Sequence, residues 1–402
     1  MIIRLALFFS FFISFAAINF IDYHWALLWS WIFSSIFVIY YLIPTCRYIY
    51  QENTRLDERY KITIKMFLTI FSVSLISWIL QALEIISIPS EYEISIIRSI
   101  GHTLYLLFYF IVFNCVYVYL IKNERNYFLY FKWMFIYSFV FISAWGIYQY
   151  ISTYDIVSYS DILNNSISTG FTYDRFKDEH RVSSVFPEPS EYSYYLAFQT
   201  PIIWAYFRNK FFISSLFARY FLIFLLLTQI YMIRSLSYII AIPVIIWVIA
   251  VYIERKKGLK LLLAYSLLSL VGALVVGITM YARINALSGG NDGSVDDRLV
   301  GMFNSLDLFS LSPLVGFGYG ITRGIDQLFF LLASLGFIGT ILLLRYIILF
   351  IMNKNVPHIM SGSLLAMFAS CISSNNILGY LFYWLILAFL SSYPNKQNSY
   401  QN

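Results

Sequence analysis

"QLFFLLASLGFIGTILLLRYIILFIM", residues 327–352, carries a single charged side chain, Arg345. About 20 such residues, rising 1.5 Å each as a helix, cross the roughly 30 Å hydrocarbon layer of a bilayer. In that layer no water is present to satisfy the backbone, so the run has to bond internally as a helix. The rest of the chain repeats the pattern. Of 402 residues, 60% are hydrophobic and 20% aromatic, and 12% are charged, about half the fraction usual in a soluble domain. Strands of a membrane barrel would show short alternating segments instead, and there are none. The expected fold class is an all-α polytopic membrane protein.

Hydropathy places about twelve spans. They lie near 4–20, 24–43, 64–87, 98–121, 129–150, 192–207, 211–229, 231–252, 260–281, 327–352, 357–373 and 375–392. Met1 to Phe20 has no small-residue cleavage site and runs straight into the next span, so it reads as a retained helix. Lysines and arginines collect after every even-numbered span: Arg47, Arg55, Arg59 and Lys61, then Lys122 and Arg125, Arg208 and Lys210, Arg255 to Lys257, Lys354 and Lys396. Alternate short loops such as "SIPSEYEIS", 87–95, carry none. Both termini are therefore expected in the cytoplasm. Cys46 falls in a charged loop and Cys115 and Cys371 within spans, which leaves no disulfide framework and no C-x-x-C metal pair. The net charge of +6 is modest, and no nucleic-acid partner is expected.

Two long segments fall on the outer side, 151–191 and 282–326, within what reads as one integral membrane domain. Loops of this length in a compact protein are usually functional. No internal repeat or low-complexity tract accompanies them. Six arginines gather in or beside these loops against the positive-inside trend: Arg175, Arg181, Arg234, Arg283, Arg298 and Arg323. The plain alternative is that they pair with Asp174, Asp178, Glu179, Asp296 and Asp297 or with lipid head groups. His24, His102 and His180 lie on or near the same side without metal-ligand spacing, so no metal site is expected.

In the second loop "SVDD", 294–297, has capping-box spacing with Ser294 as N-cap. It predicts an amphipathic helix over about 295–309 with Leu299, Met302, Phe303, Leu306 and Phe309 on one stripe and Arg298 in the first turn, where an anion is favoured. "PLVGFGYG", 313–320, then offers Gly316, Gly318 and Gly320 for tight turns that could aim N–H groups at an anion, though such glycines more often simply make a turn. In "FPEPSEY", 186–192, Glu188 stands between two prolines that fix the backbone. A rigid carboxylate at a span mouth suits a base or a hydroxyl-orienting acceptor; equally, Ser190 could cap an ordinary helix start.

"RVSSVFPEPSEYSYYLA", 181–197, resembles the arginine-containing loop of the O-antigen and capsule repeat-unit polymerases, often called Wzy-type. "IRSLSYIIAIPVIIWVI", 233–249, is similar to their S-R-(S/T) span opening, with Ile233 in place of the usual serine. "DDRLVGMFNSLDLFSLSPLVGFGYG", 296–320, resembles their second outer loop, and "DQLFFLLASLGFIGT", 326–340, the helix after it. The four motifs keep the family's order over 181–340. The related ligases open the last helix with histidine, where this chain has Asp326-Gln327, which favours polymerase over ligase.

The resemblance implies a GT-C-like architecture and a metal-independent glycosyltransferase of a bacterial cytoplasmic membrane, without cofactor. Its donor and acceptor would be undecaprenyl-diphosphate-linked oligosaccharides, with a chain-length regulator as a possible partner. The product would be O-antigen, capsule or exopolysaccharide. By the same resemblance Arg181, Arg234 and Arg298 would clamp the diphosphate or the donor glycan near it, and Glu188 or Asp326 would orient or deprotonate the attacking hydroxyl. Arg323, Glu191, Gly316, Gly318 and Gly320 would bind substrate. A flippase for the same lipid-linked sugar is the main non-enzymatic alternative and would be expected to show repeat symmetry and mid-span charges. An accessory subunit of an export machine is a third reading.

Overall fold

The computed structural model describes residues 29–52, 56–88, 96–157, 180, 182–184, 186, 189–208, 216–233, 235–254, 293–322, 327–353, 358–371, 378 and 381–394, with isolated helical positions at 267, 271 and 274. The expected first span (4–20) and nearly all of the ninth (260–281) lie outside the described residues.

Eleven helices carry the described chain, and no strand occurs among the described residues. They are α1 (Trp29–Glu52), α2 (Glu58–Ala82), α3 (Ile96–Lys122), α4 (Glu124–Ser152), α5 (Pro189–Arg208), α6 (Leu216–Ile233), α7 (Leu236–Glu254), α8 (Gly293–Leu311), α9 (Gln327–Ile351), α10 (His358–Cys371) and α11 (Leu381–Ser391). Six of them, α1 to α4, α6 and α9, are long and apolar enough to cross a membrane. The architecture is that of a helical multi-pass membrane protein.

Several boundaries move from their expected places. α1 continues through Pro44 to Glu52, so Cys46 and Arg47 are helical rather than in a loop. α2 starts at Glu58, with the Asp57 carboxylate accepting from the Arg59 amide, so Arg59 and Lys61 also belong to a helix. α4 passes through a π-helical segment, Lys132–Tyr137, a departure that hydropathy cannot register.

The helices pack in two groups. α1, α3 and α11 pack together with α2, which carries α9 and through it α8; α5, α7 and α10 form the second group, with α6 against α5 and α4. The first group is cemented by rings: Phe67 stacks on Phe110 at 4.0 Å, Tyr60 on Tyr117 at 4.2 Å, and Trp384 of α11 presents its edge to Phe67, Phe110 and Phe113. Small residues bring helices close in the second. Any Cβ on Gly362 of α10 would overlap Val248 of α7.

One end of the bundle is fastened by a buried ion pair. Arg59 makes two parallel bonds to Asp57, at 2.7 and 2.8 Å, and donates to the carbonyls of Leu390 and Tyr393 at 3.0 Å each. Its side chain is 2% exposed. The guanidinium thus satisfies a carbonyl in the last turn of α11, at the negative end of that helix's dipole, and another just beyond the helix. At the same end Tyr127 donates to the carbonyl of Phe389 and Tyr119 pairs with Tyr130.

Candidate functional site

The opposite end of the bundle holds irregular backbone in place. Helices alternate in direction, so the C-terminal ends of α2, α4, α6 and α10 meet the N-terminal ends of α3, α5, α7 and α9 there. Two segments dock among these ends.

The first is 182–186, leading into α5. The Gln149 side chain of α4 accepts from the amides of Ser183 (2.9 Å) and Ser184 (2.7 Å), and the Ser184 hydroxyl donates to the Ile142 carbonyl at 2.6 Å. The Val182 amide donates to the Met232 carbonyl at the end of α6 (3.3 Å). Phe186 stacks on Tyr192, whose hydroxyl donates to Gln229, and Gln229 in turn donates to the Ser143 carbonyl. A chain segment without secondary structure is in this way hydrogen-bonded to two helices and stacked on a third.

Pro189 is the first residue of α5, where a missing N–H costs nothing, so Ser190 lies inside the helix and does not cap it. Glu191 falls in the first turn, where the helix dipole favours a carboxylate. It is only 7% exposed and lies near Cys371 of α10. An ionisable group this deeply enclosed in a membrane bundle is a functional candidate by default.

The second segment, 312–322, packs against a break in α9. At Gly336 the backbone adopts φ 59°, ψ −169°, which interrupts the helical ladder. The groups released by the break are taken up by the segment: Phe317 and Gly318 amides donate to the carbonyls of Ala333 (3.0 Å) and Ser334 (2.8 Å), while the amides of Phe337 and Ile338 donate to Pro313 (2.7 Å) and Leu314 (3.2 Å). α2 and α3 satisfy the other side. Ser77 donates to the Val315 carbonyl, Gln81 to that of Phe317 and Ser99 to that of Tyr319, and Ser74 accepts from the Tyr319 amide. Irregular backbone survives at such a place only when it is bonded in this way.

Gly316, Gly318 and Gly320 all have positive φ (63°, 96°, 80°). Their space is equally restricted. A Cβ on Gly316 would stand 2.6 Å from the Gly336 nitrogen, one on Gly318 2.7 Å from the Trp78 ring nitrogen, and one on Gly320 would overlap His102. The amides of Gly316 and Gly318 donate within the protein, to Ser312 and Ser334, so neither offers an N–H to an anion in this conformation.

Of the residues expected to form the site, Arg181, Arg234, Glu188, Arg323 and Asp326 lie outside the described residues. Val182 and Met232, which are bonded, are one and two positions from 181 and 234. The helix carrying Arg298 begins at Gly293, so Ser294 is inside it and Arg298 is its sixth residue, past the first turn. The face of that helix packed on the protein includes Ser305 and Leu308; Phe303, from the expected stripe, is 56% exposed. Among the described residues no three His, Cys, Asp or Glu side chains come together as a metal site requires.

Three features escaped the sequence reading. Arg98, in the first turn of α3, precedes Ser99, which holds the glycine segment. Its signal was an arginine just inside a span mouth. Gln149 and Gln229 are buried glutamines about one turn from the ends of their spans, an equally visible mark. The break at Gly336 had no local signal beyond a glycine. No family model, characterised protein or solved structure matches the chain.

Proposed function

We propose that this protein polymerises lipid-diphosphate-linked oligosaccharide repeat units at the outer face of a bacterial cytoplasmic membrane, as a glycosyltransferase of the Wzy type. The observation that carries the reading is the Val182–Met232 hydrogen bond. It joins the segment that follows Arg181 to the helix end that precedes Arg234, so the two motifs resembling the polymerases' arginine loops share one mouth of the bundle. The reading includes about twelve spans, a GT-C-like arrangement and cytoplasmic termini.

In the reaction a terminal hydroxyl of the incoming unit attacks the anomeric carbon of the lipid-linked chain. The bond from that carbon to the diphosphate oxygen breaks, a glycosidic C–O bond forms, and the hydroxyl proton passes to a carboxylate or to water. The leaving diphosphate gains negative charge as the bond breaks. Arg181, Arg234 and Arg298 would neutralise it, since a guanidinium forks onto phosphate without a metal. Removing one donor of this kind costs on the order of a hundred- to a thousandfold in rate. Glu188, Glu191 or Asp326 would orient the hydroxyl.

The test is a glycan ladder on a gel from a deletion strain complemented with wild type, Arg181→Ala, Arg234→Ala or Arg298→Ala, each checked for its level in the membrane. The expected result is single exported repeat units in the deletion strain and long chains with wild type only. Long chains in the deletion strain overturn the reading. A lipid-linked sugar transporter is the second reading, favoured by the broken α9, because discontinuous helices line transport paths. Absence of any exported repeat unit in the deletion strain would select it.

A further inference from the structure

Beside the docked 182–186 segment four rings meet at the surface. Tyr154, just past the end of α4, stacks on His180 with ring centres 4.1 Å apart and planes 6° apart. Tyr150, one turn earlier, meets Tyr154 edge-on at 5.3 Å and shares a hydroxyl–hydroxyl bond of 3.0 Å with it. Tyr231, at the end of α6, lies edge-on to Tyr150 at 6.4 Å. Tyr154 is 47% and Tyr231 63% exposed.

The backbone around these rings is held in an unusual state. Among the described residues four non-glycine positions have positive φ; two are at these rings, Asp155 (57°) and His180 (48°), and a third, Ser184 (54°), is in the docked segment beside them. Such conformations are costly and persist where surrounding bonds over-determine them, most often at functional sites. The bonds are present. Gln149 and Ile142 hold Ser184, and Thr153 holds His180.

The Thr153 contact also fixes a proton. The Thr153 hydroxyl donates its one hydrogen to the Tyr150 carbonyl at 2.7 Å. At 3.1 Å from the same oxygen, His180 Nδ1 must therefore be the donor. In the neutral ring this leaves Nε2 as a hydrogen-bond acceptor.

We infer that Tyr154 and His180, with Tyr150 and Tyr231 beside them, form a sugar-binding platform. This rests on the polymerase reading and assigns the glycan, rather than the diphosphate, to this part of the mouth. A pyranose has an apolar C–H face and a rim of hydroxyls. It needs an aromatic face bordered by donors and acceptors; stacked at 4.1 Å, Tyr154 and His180 cover one face of each other, so what they present is the outer side of the stack, edged by phenol hydroxyls and the Nε2 acceptor. Tyrosines that merely sit at a bilayer interface need neither fixed ring partners nor a left-handed backbone to place them.

The experiment is saturation-transfer NMR on the full chain in detergent. The probe is the oligosaccharide released by mild acid from the host's lipid-linked repeat units. Tyr154→Ala should weaken binding about tenfold, the effect of one lost aromatic stack. Tyr154→Phe keeps the face and loses a hydroxyl, so it should weaken binding only about threefold. His180→Ala removes the stacking partner from an irregular segment and is the check should Tyr154→Ala fail to elute as a single species; it too should bind more weakly. Wild-type affinity in both alanine variants, or no transfer to the probe from wild type, overturns the inference and leaves the rings as an interfacial belt. The gel ladder is separate: it can fail while the sugar still binds, and binding can fail while the ladder forms.

Discussion

Gly336→Ala attacks the break in α9 at its cause. With φ 59° and ψ −169°, position 336 is in a region used essentially by glycine, and an alanine there costs about 1–3 kcal/mol. A Cβ would also overlap the Leu314 carbonyl carbon and the Val315 nitrogen and stand 2.5 Å from the Leu314 oxygen. These are backbone atoms bonded to α2 and α9, so they cannot swing aside, and overpacking adds about 1–3 kcal/mol. The alternative is for α9 to straighten and expel residues 313–318. That forfeits the four bonds across the break, each worth a net 0.5–1.5 kcal/mol or about 2–6 kcal/mol together. Both routes converge near 4 kcal/mol. At roughly 2 °C per kcal/mol for a large chain, the melting temperature in detergent should fall by about 8 °C. Two glycines calibrate the assay. Nothing lies within 4 Å of a Cβ on Gly101, so Gly101→Ala should gain about 0.5–1 kcal/mol from helix propensity. A Cβ on Gly339 stands 2.8 Å from the Leu335 Cβ, which is tied to the backbone, and 3.3 Å from the Val73 methyls, with no positive φ to add strain, so its alanine should fall between. A Gly336→Ala protein melting together with Gly101→Ala would refute the account of the break.

Arg59→Ala should cost about 3–5 kcal/mol in the same melt, because it strips Asp57 and the carbonyls of Leu390 and Tyr393 of their shared partner. Arg59→Lys should recover little of that, having no planar fork to reach three groups at once. Gln149→Leu should cost about 1–3 kcal/mol, and hydrogen exchange at the Ser183 and Ser184 amides should accelerate as both lose their acceptor; unchanged exchange would show that something else holds the segment. Cys46 is exposed and Cys115 and Cys371 are buried, so maleimide should modify one thiol in the folded protein and three after denaturation. On the proposed orientation, a membrane-impermeant maleimide should reach Cys46, near the C-terminal end of α1, in inside-out vesicles and not in intact cells.

Side-chain hydropathy made the helical class legible, because in a bilayer each span announces itself through its own residues. The run 327–352 became α9 within a residue. Its break at Gly336 stayed hidden, since the groups that satisfy it belong to 313–318, and a hydropathy window says nothing of a distant backbone partner. Arg59 illustrates the same limit. Counted along the chain it is one more cytoplasmic charge; folded, it fastens α11, 331 positions away. Ser190 was an available cap by type, yet Pro189 beside it was the better signal for a helix start. The arginines were singled out for running against the charge gradient. That was information about where in the chain to look, and the Val182–Met232 bond supplies a spatial reason that two of the motifs belong together.

The polar side chains of the bundle divide their work by end. Around Arg59, polar groups fasten one helix to another. At the opposite end Gln81, Gln149, Ser74, Ser77 and Ser99 bond to backbone that has no secondary structure. Glutamine and serine suit this task because a buried peptide group needs a partner of fixed geometry, and a neutral side chain supplies one at a lower desolvation cost than a charge. The result is a mouth built from irregular segments yet held as firmly as helices. A site that stabilises charge or positions a hydroxyl depends on that firmness, since donors aimed in advance do not have to reorganise during the reaction. Substitutions among these five residues should therefore shorten the glycan ladder through displaced geometry, with the arginines and carboxylates proposed for the chemistry still in the chain.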